Sequence, residues 1–156
     1  MPYLDLTIHG ANAPADAVDA LQAELTALMA SVMRKRADLT VVAISQPSGS
    51  CIAAGSIRLL APAWGGRLVV YVTAGTNDDD EKAQFIARAF AAISRAFGEP
   101  TAPFYIVVQE VPAGAWGYGG QTQSSRAKAD GHGPALLEGT PAPRSEGLDA
   151  QKYSRA

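Results

Sequence analysis

The sequence predicts an α+β fold in which two tandem β-α-β units form one four-stranded sheet with two helices on one face. Short segments alternate apolar and polar residues, longer segments space apolar residues three and four apart, and the pattern recurs after 64 residues. Two such units with right-handed crossovers are able to share one sheet. We therefore expect one domain over residues 1–120, built from repeats 2–56 and 66–120.

The first repeat predicts a strand, a helix and a second strand. Apolar and polar residues alternate through Tyr3–His9, as in a strand with one buried face. Apolar spacing predicts an amphipathic helix over roughly residues 14–36, with Asn12 and Pro14 suited to its start and a basic run to its end. The β-branched run 39–44 predicts the second strand.

The second repeat has the same order of elements. Residues 68–73 predict a strand, and Asn77 followed by three aspartates predicts a helix start. Gly98 and Pro100 end this helix, and residues 104–111 predict a strand that leads into a glycine-rich turn over 113–120. Apolar matches between two such units arise readily, but the shared spacing through both strands and the turn favours a true internal repeat.

The remaining sequence and the bare face of the sheet raise separate expectations. Residues 121–156 lose periodicity and gain Gly, Pro, Ser and charge, so we expect a C-terminal tail that is extended or mobile. The sheet face without helices needs a cover, and oligomerisation is the simplest one for a chain of this size.

Composition argues against several classes of function. Thirteen Lys and Arg residues against 15 Asp and Glu residues give a net charge of −2 without a basic run, so we expect neither nucleic acid nor a membrane as partner. No apolar run approaches a membrane span and no signal peptide is recognisable, so we expect a cytoplasmic protein. One Cys and two His residues cannot complete a closed zinc site. The glycines after residue 116 open no helix, and we expect neither metal nor cofactor.

Pro2 is the chemically unusual residue. Removal of the initiator Met leaves its nitrogen as a free secondary amine at the mouth of the first strand. Free α-amino groups titrate near 7.7–8.0, and an apolar pocket lowers that pKa further, which suits a general base at neutral pH. The alternative is a residue that merely tolerates Met removal, and if Met1 stays the nitrogen is an amide without basicity.

Three features together carry a resemblance to a known family: the initial Met-Pro, the doubled β-α-β unit and the segment 109–120, QEVPAGAWGYGG. They resemble the tautomerase superfamily over about residues 2–126, in particular its doubled 4-oxalocrotonate tautomerase-like subunits, which include cis-3-chloroacrylic acid dehalogenase and malonate semialdehyde decarboxylase. The resemblance implies a tautomerase/MIF-like fold, a homotrimer, no cofactor, and an N-terminal proline as catalytic group.

The resemblance also implies roles for particular residues. Pro2 matches the catalytic proline, whereas its equivalent in the second repeat, Gly66, cannot serve. Asp38 lies where the decarboxylase-like members place an aspartate that activates water, although an aspartate between a helix and a strand is more often a simple cap or turn former. Trp116 matches an aromatic residue that walls the pocket and keeps it apolar.

The departures from the family pattern concern substrate charge. Thr73, Thr76 and Tyr105 stand where family members that act on carboxylates have arginines. His9, at the matching strand end of the first repeat, is a further candidate because it supplies positive charge when protonated. We expect the substrate to be bound by these residues, Thr73, Thr76, Tyr105 and His9, and by Trp116. We expect only weak binding of a dianionic substrate.

The predicted function is cofactor-independent keto–enol interconversion of a small 2-oxo acid or similar carbonyl compound, with Pro2 as general base. Two alternatives stay open. One is a hydratase or decarboxylase that uses protonated Pro2 with Asp38. The other is a catalytically silent trimer that binds a small molecule or another protein.

Overall fold

The computed structural model describes residues 2–48, 52–60 and 62–129 of the chain. Four strands form its main sheet in the order β2-β1-β5-β6, comprising β1 (Tyr3–His9), β2 (Val41–Ser45), β5 (Gly65–Thr73) and β6 (Tyr105–Val111). Helices α1 (Ala15–Ser31) and α2 (Asp79–Phe97) are the crossovers of the two units. The predicted α+β fold of two β-α-β units is confirmed.

The core lies between the sheet and the two helices. One face of β1 and one face of β5 are fully buried, and α1 and α2 cover them with aliphatic residues and Phe85. The buried residues of the two central strands are Leu4, Leu6, Ile8, Leu68, Val70 and Val72. Period-2 alternation therefore separates a buried face from an open face, which carries Tyr3, Tyr71 and Val107.

The two repeats meet in an antiparallel pairing of β1 with β5. Leu4 pairs with Val70, Leu6 pairs with Leu68, and Asp5 faces Val69 at the centre. Since Asp5 and Val69 occupy equivalent positions at the 64-residue spacing, this pairing relates the repeats by an approximate two-fold axis. Equivalent ends of the two repeats therefore lie at opposite ends of the sheet.

The first helix is shorter than its apolar spacing predicts. It begins after Pro14, ends at Ser31, and leaves the predicted stretch up to residue 36 outside. Arg34 has a left-handed backbone conformation, φ 55°, and its Nε lies 2.7 Å from Glu81 Oε1. The prediction was wrong here because a tertiary ion pair, which local spacing does not encode, directs the basic run away from the helix axis.

The second helix begins at a complete capping box. Asp78 accepts a hydrogen bond from the Glu81 backbone N–H, and the Glu81 side chain accepts one from the Asp78 backbone N–H. Asn77, which is buried, donates from Nδ2 to the Met33 carbonyl and to Glu81 Oε2. Asn77 and Glu81 thus fasten the start of α2 to the chain that leaves α1.

Two short hairpins follow the repeats. Strands β3 (Ala53–Ala54) and β4 (Ile57–Arg58) form the first, and strands β7 (Gly117–Tyr118) and β8 (Gln121–Thr122) form the second. The predicted tail is wrong at its beginning, because Gln121–Thr122 complete this second hairpin and Gln123–Ala129 form a helix, α3, packed beside it. The rest of the predicted tail, 130–156, lies outside the described residues.

No helix within the described ranges has the length and apolar character needed to cross a membrane. Within the same ranges, no group of three or more His, Cys, Asp and Glu residues is placed to hold a metal ion.

The Glu81 network predicts a pH-dependent contribution to stability. Hydrogen bonds from Asn77 and the Asp78 backbone, together with Arg34, lower the pKa of Glu81 from its ordinary value of 4.5. A lowered carboxyl pKa adds stability that is present above the unfolded value and lost as pH falls through the folded one. Glu81→Gln should therefore lower the free energy of unfolding near pH 7, and this deficit should shrink below about pH 4.5.

Urea denaturation from pH 7 down to about pH 3 measures this difference. Glu99→Gln is the matched control, since Glu99 is exposed and makes no hydrogen bond or ion pair within the described part of the chain. A deficit that stays constant over the whole pH range would contradict the assigned network.

Candidate functional site

Pro2 lies in a cleft at the end of the sheet where β1 begins. Its ring is fully buried, and its carbonyl accepts a hydrogen bond from the Val41 N–H at 3.3 Å. The cleft has a volume of about 350 Å³. Besides Pro2 it is lined chiefly by aromatic and amide side chains, those of Tyr3, Tyr71, Trp116, Tyr118 and Gln123. No charged side chain is among its described lining residues.

The second hairpin brings Trp116 to Pro2. A Cβ on Gly117 would lie 2.0 Å from the Gln121 carbonyl oxygen, so only glycine permits the two hairpin strands to approach this closely. Gly119 and Gly120 turn the chain with φ values of 56° and 75°. These glycines fold the segment back over the start of β1.

Helix α3 continues from the hairpin and supplies Gln123. The Gln123 backbone N–H donates to the Trp116 carbonyl at 3.0 Å, and the Ser124 N–H donates to the Ala113 carbonyl at 3.0 Å. These bonds hold the first turn of α3 against the hairpin. Gln123 therefore lies in the same wall of the cleft as Trp116.

Two buried donors in this wall have no acceptor. Trp116 Nε1 and Gln123 Nε2 are each buried and make no hydrogen bond to any described residue. A buried N–H without a partner costs about 1–3 kcal/mol, and native structures seldom retain one without a reason. Both side chains line the Pro2 cleft, so an oxygen of a bound molecule is the acceptor that this geometry invites.

A cation stands behind the cleft wall. The Arg126 guanidinium carbon lies 3.7 Å from the centre of the Tyr118 ring, and Arg126 Nη2 donates to the Tyr118 carbonyl at 2.9 Å. Tyr118 lines the cleft, whereas Arg126 does not. Arg126 thus stacks on a residue of the cleft wall without itself lining the cleft.

The segment that builds this wall matches a known family. Residues 68–126 match the sequence model described as Tautomerase enzyme. This range includes the hairpin, Gln123 and Arg126. The likeness to this family in sequence thus lies in the second repeat and the segment that follows it.

Solved structures share the fold of this chain over both repeats. Native fused 4-OT is 18% identical to this chain, with a TM-score of 0.67, and covers 79% of this chain and 97% of its own. Pt0534 inactivated by 2-oxo-3-pentynoate is 14% identical, with a TM-score of 0.69 and coverage of 80% and 98%. A macrophage migration inhibitory factor-like protein from Entamoeba histolytica is 14% identical, with a TM-score of 0.63 and coverage of 78% and 97%. No curated protein matches the sequence significantly.

Of the predicted substrate-binding residues, Trp116 alone is among the described residues that line the Pro2 cleft. Asp38, the predicted water-activating residue, lies in a short 3₁₀ turn, is exposed, and forms an ion pair with Arg36 at 2.6 Å. The hydrogen bonds from Arg36 lower the pKa of Asp38. The structure does not bring Asp38 into the cleft of the single chain.

Thr73 and Thr76 take part in a local hydrogen-bond network. The Thr76 hydroxyl donates to the Thr73 carbonyl at 2.6 Å and accepts from Lys35 Nζ at 2.7 Å. Burial, followed by the nearby Arg34 charge, lowers the pKa of Lys35. These two threonines lie outside the described lining of the cleft. Lys35 supplies a cation next to Thr76, one of the positions where the family resemblance implies an arginine.

Glu110, near the end of β6, forms a second network at this end of the sheet. It accepts from the Gly75 backbone N–H at 3.0 Å and from Lys82 Nζ at 3.1 Å. The Gly75 hydrogen bond and then the Lys82 charge lower the pKa of Glu110. The carboxylate therefore fixes the turn between β5 and α2 and remains ionised.

His9 and Tyr105 belong to a different cavity. Both line a space of about 420 Å³ beside Gly66, at the opposite end of the sheet from Pro2. His9 is the last residue of β1, whereas Pro2 precedes its first residue, so the length of the strand separates the two. Neither residue reaches the Pro2 cleft of the same chain.

Sequence reasoning did not find Tyr3, Tyr71, Tyr118 or Gln123. Alternation in β1 and β5 places Tyr3 and Tyr71 on the face away from the core, and this signal was available. Gln123 carries no such signal, because it lies in a short helix within the segment assigned to the tail.

Proposed function

We propose that the chain is a cofactor-independent tautomerase, in which Pro2, freed by removal of Met1, is the general base for keto–enol interconversion of a small 2-oxo acid or similar carbonyl compound. The observation that carries the proposal is the buried Pro2 in a cleft whose described lining residues include no charged side chain. Such surroundings disfavour the protonated amine and keep a base available near neutral pH.

The reaction needs one proton and no added reagent. The Pro2 nitrogen takes a proton from the carbon beside the carbonyl, the electron pair of that C–H bond forms the enolate, and the carbonyl oxygen gains negative charge. The protonated proline then returns the proton to a different position of the substrate. The same amine thus acts as base and acid, and is regenerated.

The unpartnered donors provide stabilisation for the developing charge. Trp116 Nε1 and Gln123 Nε2 line the cleft and are able to donate to the enolate oxygen or to the substrate carboxylate. Both donors are neutral, so they favour a carbonyl compound or a monoanion over a dianion.

Labelling of Pro2 tests the proposed base. Pt0534 is inactivated by 2-oxo-3-pentynoate, an acetylenic 2-oxo acid, which makes this compound a suited reagent. We expect intact mass to lack Met1 and to gain one adduct that maps to Pro2. The labelling rate should rise with pH and level off with an apparent pKa below the roughly 7.7–8.0 of an ordinary α-amino group.

Pro2→Ala is the control, and should react at least about tenfold more slowly. Ultraviolet absorbance of the enol form then measures turnover of a panel of 2-oxo acids. A retained Met1, or an adduct without preference for Pro2, would exclude the general base and leave a binding protein of the same fold.

A Gln123 variant tests the proposed donor. Gln123→Leu removes the amide but keeps a side chain of similar size, and should lower kcat/KM at least about tenfold, since loss of one such donor commonly costs a hundredfold or more. Gln121→Leu is the matched control in the adjacent strand, with an exposed side chain. The pH dependence of Pro2 labelling should be unchanged in both variants. Equal kcat/KM for wild type and Gln123→Leu would remove Gln123 from the mechanism.

We also propose that the chain is a homotrimer in which the open sheet face is covered. Val41, Tyr105 and Val107 are exposed on this face of the single chain. Two fused 4-OT structures are described as a symmetric and an asymmetric trimer.

Analytical ultracentrifugation should find three 16.2 kDa chains per particle. Val107→Lys should dissociate the particle, because it places a charge on the open face. Ile86→Lys is the matched control, since Ile86 has similar exposure, 37% against 42%, but lies on α2. A monomeric wild type, or equal dissociation by both substitutions, would contradict this arrangement.

A further inference from the structure

A second cavity, of about 420 Å³, lies at the end of the sheet opposite Pro2. The end of β1, the start of β5 and the first hairpin surround it. Its size falls within the range of small-molecule sites in proteins. No acidic side chain is among the described residues that line it.

The internal repeat relates this cavity to the Pro2 cleft. Six of the seven residues that line the Pro2 cleft have their counterpart, 64 positions away, in the lining of the second cavity. Pro2 corresponds to Gly66, Tyr3 to Arg67, and Trp116 to Ile52; the remaining pairs are Gly117 with Ala53, Tyr118 with Ala54, and Gln123 with Leu59. The second cavity is thus the cleft of the other repeat, with changed side chains.

The change at Gly66 removes the catalytic group. Gly66 lies within the chain, so its nitrogen is an amide. A Cβ at this position would lie 2.1 Å from the Thr7 carbonyl oxygen, and the close approach of β1 to β5 therefore admits glycine alone. The second cavity is therefore lined by the equivalent positions but has no amine at the position that corresponds to Pro2.

The other changes replace two neutral donors with aliphatic side chains and one tyrosine with an arginine. Ile52 and Leu59 stand where the first cleft has an indole and an amide. Arg67 replaces Tyr3 and is exposed in the single chain, with no ion pair or hydrogen bond to a described side chain. His9 also lines the cavity, and its Nδ1 is buried without a hydrogen-bond partner in the described chain.

We propose that this cavity is a second, non-catalytic site that binds a small aliphatic carboxylate. Arg67 and His9 bind the carboxylate group of this ligand, and the first hairpin contacts its apolar chain. A guanidinium offers paired donors with the geometry of a carboxylate, and His9 supplies a further N–H. The site is separate from Pro2, so it stands or falls independently of the proposed tautomerase activity.

Fluorine NMR with 4,4,4-trifluorobutyrate tests the site on the full chain. We expect saturable binding that Arg67→Gln weakens at least about tenfold, as for loss of a charged hydrogen bond. Arg88→Gln, an exposed arginine on α2, is the matched control and should leave the dissociation constant unchanged. The neutral isostere 4,4,4-trifluorobutanol should bind at least about tenfold more weakly than the carboxylate.

Two further variants assign the binding to one cavity. Ala54→Tyr, which installs the residue of the other repeat, should fill the second cavity and abolish binding. Gln123→Leu, in the Pro2 cleft, should leave the dissociation constant within about twofold. Absence of saturable binding, equal effects of Arg67→Gln and Arg88→Gln, or loss of binding in Gln123→Leu would each overturn the proposal. Circular dichroism of each variant verifies that the fold is retained.

Discussion

The antiparallel ladder between β1 and β5 is the constraint on which the rest of the molecule depends. It runs from the pair Tyr3–Tyr71 to the pair His9–Gly65. Because the buried residues of both strands face the same side, the ladder requires α1 and α2 to cover one side together. It also places the start of one repeat beside the end of the other. Pro2 therefore meets Tyr71 and the second hairpin, which local sequence alone could not bring to it.

The two ends of this ladder have diverged in chemistry while keeping a common shape. At one end a buried proline faces an indole and an amide, and the cation Arg126 is held behind Tyr118. At the other end Arg67 and His9 stand among small aliphatic residues. The close approach of the Thr7 carbonyl oxygen to Gly66 excludes any side chain at the position that corresponds to Pro2.

Local patterns predicted the parts of the fold that local forces decide. Alternation predicted β1 at its observed bounds, Tyr3–His9, and Asp78 with Gly98 limits α2 through capping and a positive φ. The end of α1 was beyond such reasoning, because Arg34 leaves the helix to pair with Glu81 from the other repeat. Family resemblance joined Pro2 with Trp116, but His9 and Tyr105 were expected at the same site. The ladder carries them to the far end, and no spacing along the chain encodes that separation.

The burial of Pro2 has a consequence for how the protein is made. A peptidase that removes Met1 must reach the bond before Pro2, yet the folded chain encloses the proline ring beneath the second hairpin. The second hairpin begins at Gly117, 115 residues after Pro2. At about 5–20 residues per second, a ribosome needs roughly 6–23 s to supply it. The proposed amine therefore requires that Met1 be removed while the second hairpin is unfolded or absent, and the interval of synthesis provides such a state.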